Sequence, residues 1–162
     1  MAVQERLRRL LAAVEQSPRV LILPHNDPDP DAIAGAIGLR YLLETRLEVD
    51  CHIAYKGIIG RAENRALSRY LGYPLQRLRR ADLQGDVAVA LVDTQPGFGN
   101  NALPADVAVA IVIDHHPWRE ESATATFADV RTDVGSISTM LTEYLLAAGL
   151  PPPATVATAL FY

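Results

Sequence analysis

The stretch "DVAVAIVIDHH", residues 106–116, and the similar stretch "DVAVALVDT", residues 86–94, decide the predicted fold. Each begins with an aspartate, continues as an unbroken run of small and branched apolar residues, and then reaches a second aspartate, Asp114 or Asp93. Apolar runs without alternation are typical of strands that are covered on both faces. The two stretches therefore predict parallel strands in a sheet between layers of helices.

Other segments supply further strands and the helices. The predicted strands are "RVLILP" (19–24), "EVDCHIAY" (48–55) and "TATFADV" (124–130), while helices are predicted at the start of the chain, from about residue 31 to 46, in "GRAENRALSRYLG" (60–72) and in "GSISTMLTEYLLAAG" (135–149). Gly72 and Gly149 are typical stops of the last two helices. We predict an α/β domain with a doubly wound, mainly parallel sheet of about five strands and helices on both faces.

The composition narrows the function classes. The chain has 162 residues, 49% of them hydrophobic and 21% charged, which indicates one globular domain. A formal net charge of -4 gives no basic surface, so we expect no duplex nucleic acid as a partner. The sequence has neither a Walker loop nor a G-x-G-x-x-G fingerprint, so it gives no support for a nucleotide cofactor.

Cysteine content and hydrophobicity bear on the compartment. Cys51 is the only cysteine, which excludes an internal disulfide and a cysteine-based zinc site. The charged, amphipathic start does not fit a signal peptide, and no apolar run approaches the roughly 20 residues of a membrane span. We therefore expect a cytoplasmic protein without a membrane partner.

Histidines and aspartates follow three of the predicted strands. They occur in "HNDPDPDA", residues 25–32, at Asp93, and in "DHH", residues 114–116. In a doubly wound sheet these strand ends meet at one rim, so segments far apart in sequence become neighbours in space. Histidine and carboxylate together are ligands of divalent transition metals, whose charge would offset the repulsion among the crowded aspartates. The sequence therefore predicts a metal site at this rim.

Ordinary structural roles compete with that interpretation. Asp29 is well placed to cap the next helix, with Pro30 at its first position. Asp93 suits a turn after a strand. Neither role accounts for His25 or for the adjacent histidines of "DHH", so the metal interpretation explains more of the pattern.

Taken together, these segments resemble the DHH phosphoesterase family. "HNDPDPDA", the isolated Asp93 after the third predicted strand, and "DHH" are similar to the first three motifs of that family, in the same order. "GRAENRAL" (60–67) and "VDTQPGFGNN" (92–101) are similar to its RecJ-type and oligoribonuclease-type members. The resemblance covers essentially the whole chain.

The resemblance implies a two-metal phosphoesterase that uses Mn²⁺, with Mg²⁺ or Co²⁺ as alternatives. By this resemblance, His25 and Asp29 would bind the first ion. Asp31 and His115 would bind the second, and Asp93 would bridge both. The resemblance assigns the catalytic roles to His116, which would face the phosphate, and to Asp114, which would orient its neighbours.

The resemblance also bears on where the domain ends. Members of the family carry a further metal-binding aspartate shortly after a helix similar to "ATALFY" (157–162), and then a second domain that grips the substrate. We therefore expect residues 1–162 to be a DHH catalytic domain that is incomplete at its C-terminal end and lacks the family's C-terminal substrate-binding domain. Asp129 and Asp133 are the nearby carboxylates that could replace the missing ligand, but we do not expect either of them to do so.

The expected function is hydrolysis of phosphate esters in short single-stranded oligonucleotides or small nucleotides. A DHH-type inorganic pyrophosphatase is a rival, and a catalytically silent module that binds metal or nucleotide is another. The arginine-rich "GRAENRALSR" (60–69) favours the nucleotide-acting branch by resemblance. The sequence leaves open the exact substrate and whether the chain forms a homodimer.

Overall fold

The computed structural model describes residues 2–72 and 74–162, which contain a parallel sheet of six strands. The strands are β1 (Arg19–Pro24), β2 (Asp50–Tyr55), β3 (Leu75–Arg77), β4 (Ala88–Val92), β5 (Ile111–Asp114) and β6 (Phe127–Val130). Their order across the sheet is β3-β2-β1-β4-β5-β6, and every neighbouring pair is parallel. The prediction of a doubly wound α/β domain is confirmed.

The edge strand β3 is the strand that the sequence did not predict. It has three residues, of which only Leu75 is buried, so it lacks the apolar run that marks the other strands. A second difference concerns β5, which begins at Ile111 although the apolar run begins at residue 107. The first half of that run is a connection whose side chains cover the sheet, and burial alone does not distinguish it from a strand.

Five α-helices accompany the sheet in the described part of the chain. They are α1 (Val3–Ala12), α2 (Pro30–Arg46), α3 (Ala62–Tyr70), α4 (Ile137–Ala147) and α5 (Ala154–Phe161), with short 3-10 helices at Arg80–Leu83 and Glu120–Thr124. Gly72 and Gly149 follow α3 and α4 with φ of 74° and 63°, the left-handed conformation that ends helices and favours glycine. None of the described helices has the combination of length and apolar character needed to cross a bilayer.

The two faces of the sheet are covered differently. Consecutive residues of a strand point to opposite faces, so Leu21 and Ile22 of β1 belong to two separate apolar clusters. The larger cluster takes in side chains from all five α-helices. The smaller one is closed by loop residues such as Leu103 and by Leu83 of the first 3-10 helix. Helical segments therefore lie on both faces, but the α-helices share one of them.

Close packing of α2 against α4 brings the starts of these two helices together. A methyl group at Gly35 of α2 would overlap the side chain of Ile137, the first residue of α4. A methyl group at Gly38 would lie 3.2 Å from Cβ of Leu141, one turn further along. The small residues after the acidic stretch thus let α4 approach the rim of the sheet where α2 begins.

Strands β1 and β4 lie side by side at the point where the strand order reverses. Pro24 pairs with Val92, so His25 and Asp93 leave the sheet from paired positions. Val92 also pairs with Ile113 on β5, whose strand ends in the "DHH" segment. Ligands of open α/β sheets bind at the carboxyl ends of strands at such a switch point.

Candidate metal centre

A cavity of about 750 Å³ opens at the carboxyl ends of β1, β4 and β5, and we call it the site cavity. Six of the seven predicted site residues line it, namely His25, Asp29, Asp31, Asp93, His115 and His116. The seventh, Asp114, is fully buried. Ser136 and Ser138 at the start of α4 and residues 159–162 complete the wall.

His25 follows β1 and turns one ring nitrogen toward two carboxylates. Its Nδ1 donates to the carbonyl oxygen of Asn26 at 2.7 Å, which leaves Nε2 to face the cavity. Nε2 lies 3.8 Å from Oδ1 of Asp29 and 3.6 Å from Oδ2 of Asp93. Asp29 also caps α2, because its Oδ1 accepts a hydrogen bond from the backbone N–H of Ala32 at 3.0 Å. Asp29 therefore has both the capping role and the place beside His25.

Asp93 lies at the centre of the site in an unusual backbone conformation. Its φ of 59° is in the left-handed region, which residues other than glycine rarely adopt. The residue is 3% exposed, and its Oδ1 has no hydrogen-bond partner among the described residues. Oδ1 lies 3.3 Å from Nε2 of His115 and 3.6 Å from Nδ1 of His116. A buried carboxylate oxygen without a partner calls for an explanation, and a cation here would provide one.

Asp114 fixes the orientation of the two histidines that follow it. Its Oδ1 accepts hydrogen bonds from the backbone N–H of His115 and from Nδ1 of His116, both at 2.9 Å. With Nδ1 of His116 donating to Asp114, its Nε2 is the nitrogen left to act as acceptor. The rings of His116 and Phe98 also pack in an edge-to-face arrangement, with centroids 5.7 Å apart.

Asp31 connects the site to α4. Its Oδ2 accepts a hydrogen bond from the backbone N–H of Ile137 at 2.8 Å, and its Oδ1 accepts from the backbone N–H and hydroxyl of Ser138 at 2.9 and 2.7 Å. Oδ2 is 4.0 Å from Nε2 of His115. Oδ2 accepts one hydrogen bond and keeps a second lone pair, so it has room for a cation, whereas Oδ1 already accepts two. The ligand role of Asp31 stays a prediction.

Two groups of ligand atoms share Asp93. One consists of His25, Asp29 and Asp93, the other of Asp93, His115 and His116, and within each group the ligand atoms lie within 4.8 Å of one another. Imidazole nitrogen with carboxylate oxygen suits divalent transition metals. This donor set and the unpartnered Oδ1 of Asp93 fit divalent cations held at this rim of the sheet.

The electrostatics of the site favour replacement of a proton by a metal. Burial lowers the pKa of His25, but its interaction with Asp29, its hydrogen bond to the Asn26 carbonyl and the charge of Asp93 outweigh burial and raise the pKa to about 9. The interaction with His25 lowers the pKa of Asp29 to about 2, whereas burial raises the pKa of Asp93 to about 6. At pH 7 the metal-free site therefore holds a protonated His25 between two carboxylates.

Gln95 is a functional residue that the sequence analysis missed. It is fully buried, and its Nε2 donates to Oδ2 of Asp114 at 2.5 Å and to the carbonyl oxygen of Pro117 at 3.0 Å. Its Oε1 accepts from the backbone N–H of Arg119 at 2.8 Å and the hydroxyl of Ser122 at 3.0 Å. Its sequence signal was weak, a polar residue in the turn after β4. The side chain holds Asp114 from the side opposite the histidines.

We expect Gln95→Glu to destabilise the fold, because it replaces the amide donor with a carboxylate facing Asp114. Loss of a hydrogen bond to a charged group should lower the free energy of unfolding by about 1.5–3 kcal/mol, measured by urea denaturation at pH 8. Gln84→Glu, the same change at an exposed position, should stay within about 0.5 kcal/mol of the wild type. Equal stability of the two variants would contradict the bracing role.

Asp129 does not fill the role of substitute ligand suggested by its sequence position. Its Oδ2 accepts a hydrogen bond from the hydroxyl of Tyr144 at 2.7 Å and lies 3.3 Å from Nε of Arg131 and 3.6 Å from Nε of Arg6. Asp129 is outside the site cavity, as is the exposed Asp133. Asp129 instead neutralises arginines between α1 and α4, which agrees with the expectation that it would not replace the missing ligand.

Comparison with known proteins identifies the family. The model of the DHH family, N-terminal domain, matches residues 19–162. The chain belongs to the DHH family. The DHH match begins at β1 and extends beyond His116, so it includes every residue of the two ligand groups.

Two curated relatives share sequence with most of this DHH chain. An uncharacterized protein of Methanocaldococcus jannaschii is 41% identical over 149 residues, which cover 91% of this chain and 30% of that protein. A probable manganese-dependent inorganic pyrophosphatase of Streptococcus pyogenes is 28% identical over 141 residues, which cover 86% of this chain and 45% of that protein. The DHH chain thus spans less than half the length of each relative.

A solved structure shares the fold of this DHH chain. An exopolyphosphatase-related protein from Bacteroides fragilis matches with a TM-score of 0.67 and 14% sequence identity, over 98% of this chain and 48% of that one. At this identity the match shows a common fold.

Proposed function

We propose that this chain is the metal-binding domain of a divalent-metal-dependent phosphoesterase that acts on small nucleotides or short single-stranded oligonucleotides. The observation that carries the proposal is Asp93, a buried carboxylate that belongs to both ligand groups and has one oxygen unpartnered among the described residues. Membership of the DHH family supports hydrolysis at phosphorus. The relative named as a probable manganese-dependent pyrophosphatase supports Mn²⁺ as the ion.

The ions would be held by His25, Asp29, Asp93 and His115 of the two ligand groups, with Asp31 as an additional ligand. When bound, divalent cations neutralise charge on a phosphoryl group and make a nearby water more acidic. Hydrogen bonds within the chain orient the ligand side chains. Asp29 and Asp31 are fixed by the helix starts that they cap, so the carboxylates are in place before a ligand binds.

His116 is the residue that we propose to contact the substrate phosphate. Asp114 accepts a hydrogen bond from its Nδ1, and Gln95 in turn holds Asp114, so the ring has a fixed orientation. A protonated His116 would donate from Nε2 to a phosphoryl oxygen, with Asp114 stabilising the imidazolium. The chain thereby supplies an oriented imidazole beside the proposed metal ligands.

A second candidate function is hydrolysis of inorganic pyrophosphate. The pyrophosphatase of Streptococcus pyogenes is 28% identical over 86% of this chain, and that similarity includes the segment with both ligand groups. A pyrophosphatase and a nucleotide phosphoesterase need the same metal chemistry, so they differ in what surrounds the phosphoryl group.

Hydrolysis assays of the 162-residue chain distinguish these functions. The substrates are a dinucleotide, phosphoadenosine phosphate and pyrophosphate, each with Mn²⁺ and with a chelator. We expect turnover of a nucleotide substrate that requires Mn²⁺. Turnover of pyrophosphate alone would establish the second candidate, and tight Mn²⁺ binding by calorimetry without any turnover would establish a catalytically silent module.

A further inference from the structure

A second cavity of about 390 Å³ lies next to the site cavity, and we call it the side cavity. It lies between the segment after β1 and the segment that leads into α3, and its walls are His25, Asp27, Asp29, Ile58, Gly60, Arg61 and Asn64. His25 and Asp29 line both cavities. A molecule in the side cavity would therefore be adjacent to a phosphoryl group at the metal centre.

Asn64 has hydrogen-bonding capacity that the fold does not use. It lies in the first turn of α3, is 4% exposed, and donates from Nδ2 to the carbonyl oxygen of Pro28 at 3.3 Å. Its Oδ1 is buried and has no hydrogen-bond partner among the described residues. Bracing of Pro28 explains the amide nitrogen but leaves the oxygen unexplained. An unpaired buried acceptor costs about 1–3 kcal/mol, which a hydrogen-bond donor on a ligand would offset.

Arg61 has no assigned role within the fold either. Its exposed side chain makes no hydrogen bond or ion pair with the described residues, and it occupies the N-cap position of α3 without a side-chain cap. Ile58, in the same segment, also lines the side cavity and is 66% exposed. A guanidinium and an apolar side chain together suit the flat face of a nucleobase.

The acceptors in the side cavity select against a purely anionic ligand. Asp27 accepts a hydrogen bond from the backbone N–H of Ile58 at 2.6 Å through Oδ1, which leaves its other oxygen as an acceptor. Asp29 adds a second carboxylate to the wall. Pyrophosphate offers no donor to these oxygens or to Asn64 and would be repelled by the carboxylates. Ribose hydroxyls and nucleobase amino groups are donors.

We propose that the side cavity is a nucleoside subsite, in which Asn64 and Asp27 accept hydrogen bonds from the sugar or base and Ile58 and Arg61 contact the base. The proposal rests on the phosphoesterase function proposed above, because it places the attached phosphoryl group in the site cavity. It assigns the substrate class as nucleotides and makes the preference over pyrophosphate a property of the acceptors Asp27, Asp29 and Asn64.

Calorimetric titration of the intact chain with saturating Mn²⁺ tests the subsite. The probes are adenosine 5′-monophosphate, ribose 5-phosphate and inorganic phosphate, and we expect affinity to fall in that order. Arg61→Gln and Ile58→Ser should each weaken binding of adenosine monophosphate at least about fivefold, as expected for loss of one base contact, and leave phosphate binding unchanged. Asn64→Leu should do the same through the lost acceptor.

Arg80→Gln is the matched control, since it removes an exposed arginine from the first 3-10 helix, away from both cavities. Because Arg61 and Ile58 are exposed, their variants test the subsite even where Asn64→Leu fails to fold. Equal affinity for the three probes, or binding that the variants leave unchanged, would overturn the subsite.

The same experiments separate the two proposals. Mn²⁺-dependent hydrolysis of a dinucleotide with unaltered nucleotide binding in the variants would remove the subsite and leave the phosphoesterase in place. Absence of hydrolysis, together with nucleotide binding that depends on Arg61 and Ile58, would remove the phosphoesterase and leave the subsite.

Discussion

Asp93→Asn should abolish Mn²⁺-dependent hydrolysis and most of the Mn²⁺ binding, because both ligand groups lose the same charge. Loss of outer support for a metal ligand costs tenfold to a hundredfold in affinity, so loss of a shared ligand charge should cost at least about a hundredfold. The wild type should gain about 2.7 kcal/mol of stability at a Mn²⁺ concentration of 100 times Kd, and the variant should gain almost none. Calorimetry and thermal melting measure both effects.

Without metal, Asp93→Asn should be more stable than the wild type. Burial raises the pKa of Asp93 to about 6, so its ionised form opposes folding at pH 8, and the neutral amide removes that cost. Asp86→Asn, at the exposed start of the same apolar run, is the control and should match the wild type with and without Mn²⁺. A melting temperature of the wild type that is indifferent to Mn²⁺ would contradict the site.

Raising the pH from 6.5 to 9 should destabilise the metal-free protein and strengthen Mn²⁺ binding at the same time. The pKa of His25 is raised from 6.5 to about 9 in the folded state, so its contribution to stability is fully present below pH 6.5 and is lost as the pH rises through 9. Metal binding requires the neutral ring, so Mn²⁺ affinity should rise about tenfold per pH unit over this range.

Melting curves at several pH values, with chelator and with Mn²⁺, measure this effect. We expect the difference in melting temperature between the two series to widen from pH 6.5 to 9. His52→Gln, at an exposed histidine that pairs with Asp50 outside the site cavity, should keep the widening. A difference that stays constant across this range would show that His25 does not exchange its proton for the metal.

The sequence predicted the parts of the fold and site that depend on local pattern. The continuous apolar runs that end at Asp93 and Asp114 identified central strands, and parallel topology then placed both ends on one rim. Asp29 was recognised as a helix cap, which the structure confirms by its bond to Ala32. Chain order and strand polarity were enough to bring His25 and Asp93 together.

Features that depend on tertiary contacts were not predictable from local pattern. The three residues of β3 gain their strand conformation from pairing with β2, since an isolated segment of that length carries no periodic signal. Gln95 and Asn64 are ordinary polar residues in the sequence, and only burial distinguishes them. A continuous apolar run also predicts that a strand is covered, but not whether an α-helix or a loop covers it.

The bond between Asp31 and the start of α4 also sets the order in which the site is completed. Asp31 and Ser138 are 107 residues apart in sequence, and at a synthesis rate of about 5–20 residues per second they are made roughly 5–20 s apart. During that interval the emerging chain carries the acidic stretch without the helix that fixes Asp31. The nascent protein therefore acquires the arrangement of carboxylates described here only after most of the domain has been translated.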